Sequence, residues 1–177
     1  MNNRNIVKVC LILFAITFYW VEFSPWSSSA VASYNDGYGT FDMKQYGTEE
    51  VETVLGHMEL EGFDIYDRYL IGDCFFILVL GSIQILLSSS VCNGKKFSGL
   101  RNVLIGIAIA RGCFDLVENI MLFMILHGYP DISQAQIRIS SVATSIKLAC
   151  IGLWSVLFLV GFVWARRSRV KSQSSSY

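Results

Sequence analysis

The residues in this chain best suited to chemistry sit where charge is least expected, inside long apolar stretches. Arg111, Asp115, Glu118 and Asn119 follow one another at offsets of four, seven and eight. That spacing brings side chains to one face of a helix with about 3.6 residues per turn. Arg111 and Asp115 can pair along this face at i, i+4. Asp73 and Gln84 share a face in a second apolar stretch, Lys147 stands in a third, and Glu22 closes a fourth. Ionisable groups within a membrane are rare and cost about 3 kcal/mol each on insertion scales, so they face a bundle interior or a cavity. The acids Glu22, Asp73, Asp115 and Glu118 outnumber the bases Arg111 and Lys147. Unpaired acids in such a place could carry protons or bind a cationic or polar ligand. The same groups could instead fix the register of the helices, each buried charge demanding a partner. Both readings stand at this level.

The elements that must position these groups are apolar runs at about 6–23, 69–91, 102–127 and 139–165. Each is near the roughly 20 residues that a helix needs to cross a hydrocarbon layer. Strand-like alternation is absent, and backbone polar groups in lipid must be satisfied within the segment, so helices are predicted. The fold class is an all-α membrane protein: a four-helix transmembrane bundle with one acidic outer loop at 24–68 and a basic, Ser-rich tail at 166–177. Lys147 and Glu118 lie at similar depth below the outer ends of their helices, counted at ~1.5 Å per residue. A bridge from Lys147 to Glu118 or Asp115 is therefore expected. Gln84 falls near the depth of Arg111, and Asp73 lies nearer the outer mouth. Gly106, Ala110, Ser145 and Ala149, at spacings of four, predict close helix packing.

Composition agrees. Of 177 residues, 53% are hydrophobic and only 16% charged, against about 25% charged in soluble domains. A nucleic-acid binder, a disulfide-stapled secreted domain and an ordinary water-soluble enzyme are excluded. No His-Glu-x-x-His, Gly-x-Ser-x-Gly, phosphate loop or dinucleotide fingerprint occurs, so no catalytic residue and no cofactor is assigned. None of the cysteines forms a Cys-x-x-Cys pair, which leaves no zinc or thiol redox centre. Cys10, Cys74, Cys113 and Cys150 are expected as buried small hydrophobes. Cys92, near Lys95 and Lys96, is a candidate for lipidation. His57 and His127 fall at the aqueous edges.

Charge sets the orientation. Arg4 and Lys8 precede the first run, Lys95, Lys96 and Arg101 fill the second connection, and Arg166, Arg167, Arg169 and Lys171 follow the last run. The connection at 24–68 is the opposite, with nine acids against Lys44 and Arg68. Basic residues collect on the cytosolic side, so both termini are expected there and the acidic loop outside. Ala30-Val31-Ala32 after a basic, apolar start also resembles a signal-peptide cleavage site, and a retained first helix and a cleaved one both remain open. Within the loop, Asn35-Asp36-Gly37 signals a turn. Thr48 is expected to cap a short helix carrying Glu49 and Glu50 in its first turn, with Val51, Leu55 and Met58 as its apolar stripe and its end near Gly62. The loop surface suits either the bundle mouth or a partner or cation. The tail anchors the topology, and its basic residues could also touch anionic lipid in a contact that phosphorylation of Ser168 or Ser172 would weaken.

Gly62, Tyr69, Asp73, the element Asp115-x-x-Glu118-Asn119, Tyr129-Pro130 and Lys147 together resemble a family of short four-helix membrane proteins of uncharacterised function. The resemblance covers about 38–165 and departs from the family at Phe63, where Arg is expected. It implies architecture alone. The function expected is that of a small non-enzymatic multi-pass protein acting by association with other membrane proteins or with itself, in contact with the lipid bilayer. The alternative is a transport or channel element for protons, cations or small solutes using the intramembrane acids.

Overall fold

The computed structural model describes residues 3–92 and 97–174, with side chains from 5 to 92 and from 97 to 167. The turn at Lys95 and Lys96 and the end of the tail lie outside the described residues. Every regular element among them is helical: α1 Asn3–Phe23, α2 Ser28–Ala32, α3 Thr48–Gly56, α4 Leu60–Val91, α5 Ser98–Gly128 and α6 Gln134–Ser174. Three segments are long and apolar enough to cross a membrane: Asn5–Ala32, Leu60–Val91 and Gln134–Arg167. The fourth expected run, in α5, falls short because it carries Arg111, Asp115, Glu118 and Asn119. All four of those are buried, while Ile109, Val117, Ile120, Phe123 and Met124 of the same helix are exposed. The helix is therefore apolar where it faces outward and charged where it faces its neighbours.

The long helices pack as an open array. α5 packs along α6 and α4, and α1 packs along α4, without a matching seam between α1 and α6. α4 and α6 touch only sparsely. Glycine, not the predicted small-residue stripe, permits the close approaches. A Cβ at Gly72 would lie 2.5 Å from the Trp20 ring of α1, and one at Gly161 would lie 2.7 Å from Leu100. Gly106 and Ala149, by contrast, are exposed. Phe14 and Phe18 complete the α1–α4 seam against Phe76, with ring centroids 5.6 and 6.4 Å apart.

The connection at 24–68 is not a loop in the sense expected. It holds α2, α3 and the first turns of α4, which begins at Leu60, nine residues before the predicted start. Gly47, not Thr48, is the N-cap of α3. Val51, Leu55 and Met58 are buried as predicted, but α3 ends at Gly56 and Gly62 lies inside α4. Ala30-Val31-Ala32 belongs to α2, where Val31 is fully buried. The predicted turn forms at Asp36, Gly37 and Gly39, all at positive φ. Asn35 clamps it by donating to the Gly39 carbonyl (2.8 Å) and accepting from the Gly39 N–H (3.0 Å).

Apolar packing forms two separate cores. One, at the end capped by this connection, gathers Val31, Phe41, Val51, Leu55, Tyr66, Leu122 and Ile137. The other, at the tail end, gathers Cys92, Phe97, Leu104, Ala108, Trp154 and Ala165. The buried polar residues of α4, α5 and α6 that the sequence predicts lie between them.

Candidate functional site

Between the two cores runs a polar layer built by α4, α5 and α6, and none of its principal groups is more than 7% exposed. Arg111 Nη1 donates to Asp115 Oδ2 at 2.7 Å. Lys147 Nζ donates to Asp115 Oδ1 at 2.9 Å and stands 2.6 Å from Glu118 Oε2. Asp115 thus bridges both bases, and Thr144 donates to the remaining oxygen of Glu118. Both predicted bridges of Lys147 are present together. Arg111 Nη2 also reaches the Ile77 carbonyl at 2.9 Å, across the face of α4 that Gly81 leaves open. The result is a charge-balanced quartet of Arg111, Asp115, Lys147 and Glu118, held at short distances from two helices.

Asp73 is placed differently. Its Oδ2 accepts from Asn119 Nδ2 at 2.8 Å, and the same amide nitrogen lies 3.7 Å from Cys74 Sγ. The carbonyl oxygen of Asn119 is buried without a partner. Gln84 is buried too, a turn beyond Gly81, and its Oε1 likewise lacks a partner. Glu22 is exposed and takes no part in the layer. Cys92 is fully buried in the tail-end core. Cys113 is exposed and Cys10, Cys74 and Cys150 are partly exposed, unlike the buried hydrophobes expected. His57 and His127 are surface residues, near Asp36 and Asp67.

The chain also contributes a strap that the sequence reading did not anticipate. Residues 40–47 hydrogen-bond to both α4 and α6. Asp42, 5% exposed, accepts from the Tyr69 hydroxyl at 2.7 Å and from Thr40. It lies within electrostatic reach of Asp73, Glu118 and Lys147. The Phe41 N–H donates to the Tyr66 hydroxyl at 2.8 Å. On the α6 side, Tyr46 donates from its hydroxyl to Ser140 and from its N–H to Ser141, and Gln45 reaches Ser145. Burial pushes the Tyr46 phenol well above its ordinary ionisation range, which keeps it a donor. A groove of about 570 Å³ lined by Tyr46, Thr48, Ile137, Arg138 and Ser141 follows this seam. The one available sequence signal was the hydroxyl series Ser140, Ser141, Thr144 and Ser145, which precedes Lys147 on one apolar segment.

Counting Asp42 in place of Glu22, four acids face two bases within the layer. Among the described residues no group of His, Cys, Asp and Glu is arranged to hold a metal ion. No family model matches the chain, and no curated protein or solved structure matches it. The site's own geometry is therefore the whole basis for a functional reading.

Proposed function

We propose that this chain is a multi-pass membrane protein with four spanning helices, α1, α4, α5 and α6, that acts as a transport element for protons or small cations through its buried polar layer. The observation that carries the reading is the charge inventory. Both buried bases are engaged by Asp115 and Glu118, while Asp42 and Asp73, equally buried, have only neutral hydrogen-bond donors. A buried carboxylate without a cation is expensive, and one that persists inside a membrane protein marks an ion or proton position by default. The distribution of Lys and Arg supports an orientation with the capped end outside and the basic tail in the cytosol.

The direct test is reconstitution into liposomes carrying a trapped pH indicator. Wild-type protein is expected to dissipate an imposed pH or cation gradient faster than empty vesicles. Vesicles no leakier than empty ones, under all gradients, would reject the reading. A second reading, an accessory protein working by association, is favoured by the open helix array, in which α1 is held along α4 alone among the long helices. A partner or a defined oligomer recovered by crosslinking in mild detergent, without flux, would establish that reading instead.

A further inference from the structure

The Asn119 amide is matched at one end and unmatched at the other. Asn119 Nδ2 donates to Asp73 Oδ2 at 2.8 Å. The other end of the same amide, Asn119 Oδ1, is buried and unpartnered, on a side chain only 3% exposed. An amide and a carboxyl group can form two parallel hydrogen bonds, but the second requires a hydrogen on the carboxyl. An ionised carboxylate can only accept, and a carbonyl can only accept, so without that hydrogen the second bond cannot form. A buried acceptor left unmatched costs about as much as a lost hydrogen bond.

We propose that Asp73 is the proton-binding position of this protein, holding a proton on Oδ1 that is donated to the Asn119 carbonyl. Of the charged groups facing Asp73, the bases Lys147 and Arg111 lie within electrostatic reach but are already bonded to other acids. On α5, Asp115 is a like charge, and Arg111 and Asp115 are already joined. On α6, Lys147 is bonded to Asp115 and Glu118. From the strap, Asp42 adds a second like charge. On α4 itself, Tyr69 donates to Asp42 and Cys74 touches the Asn119 amide. Asp42 differs from Asp73 because both its oxygens receive hydroxyl donors. A metal cation would need several more oxygens than Asp73 and Asn119 supply, whereas a proton needs no further ligand.

This inference rests on the transport reading for its purpose, but it can fail or hold separately. The experiment measures reversible unfolding of wild type and Asp73→Asn in mixed micelles from pH 5 to 8, in sodium and in choline chloride. Folding that takes up a proton loses stability as pH rises, because the unfolded chain releases that proton more readily, by up to tenfold in the folding equilibrium per pH unit for one proton. Wild type is expected to show such a slope in both salts. Asp73→Asn is expected to remove the slope while staying as stable as wild type at pH 8, since the new amide N–H can donate to Asn119 Oδ1. A slope that survives in Asp73→Asn, a flat wild-type profile, or stabilisation by sodium that Asp73→Asn abolishes would each overturn the proposal. Should Asp73→Asn not refold, the infrared carbonyl band of a protonated carboxyl decides in folded protein. Its presence in wild type at pH 7 and its loss in Asp73→Asn support the assignment, and no band in wild type contradicts it. A titrating Asp73 without liposome flux would sink the transport reading alone, and flux unaffected by Asp73→Asn would sink the assignment alone.

Discussion

Glu118 and Asp73 are buried to nearly the same degree in the same layer, yet they live in opposite electrostatic company. Glu118 stands 2.6 Å from Lys147 and accepts from Thr144. Asp73 receives one amide hydrogen bond and lies near two further acids, Asp42 and Asp115. Depth in the membrane therefore does not decide what a charge does here. What decides it is whether a base bonds the acid directly, and both bases bond Asp115 or Glu118. The quartet fixes α5 against α6, whereas Asp73, on its capped side, has no direct bond to a base.

The largest effect should come from breaking the quartet. Lys147→Met leaves Glu118 and half of Asp115 without a cation and is expected to cost about 3–5 kcal/mol in mixed-micelle unfolding. Adding Glu118→Gln should restore much of that loss, since the two changes share one interaction. Tyr69→Phe tests the other side of the comparison. It removes a donor from buried Asp42 and is expected to cost about 1–3 kcal/mol. Gly72→Ala, outside both sets, should cost a similar ~1–3 kcal/mol by forcing Trp20 away from α4, and unlike changes within the layer it should leave any pH slope unaltered. The smallest change is expected for Gln45→Ala at the exposed end of the strap, within about 0.5 kcal/mol.

Much of this arrangement was legible in the sequence because helical periodicity acts over short distances. The face shared by Arg111, Asp115, Glu118 and Asn119, and the depth of Lys147, follow from 3.6 residues per turn and 1.5 Å per residue. Depth along a segment does not fix facing, and Glu22, at the right end of its helix, is exposed. Asp42 is the opposite case. It is one of nine acids in a polar connection, and nothing local marks the one that folds inward. Its burial depends on partners far along the chain, Tyr69 on α4 and, for its neighbour Tyr46, Ser140 and Ser141 on α6. The open helix array escaped prediction likewise, because the Gly72 contact with Trp20 and the sparse α4–α6 seam are tertiary facts.

Comparing the unfolding free energies of Glu118→Gln and Asp73→Asn at pH 7 distinguishes a buried acid bonded to a base from one that is not. Opposite outcomes are expected: neutralising Glu118 removes a partner of Lys147 and destabilises, while neutralising Asp73 leaves stability unchanged or raises it. Losses of the same sign and similar size in both variants would contradict this expectation.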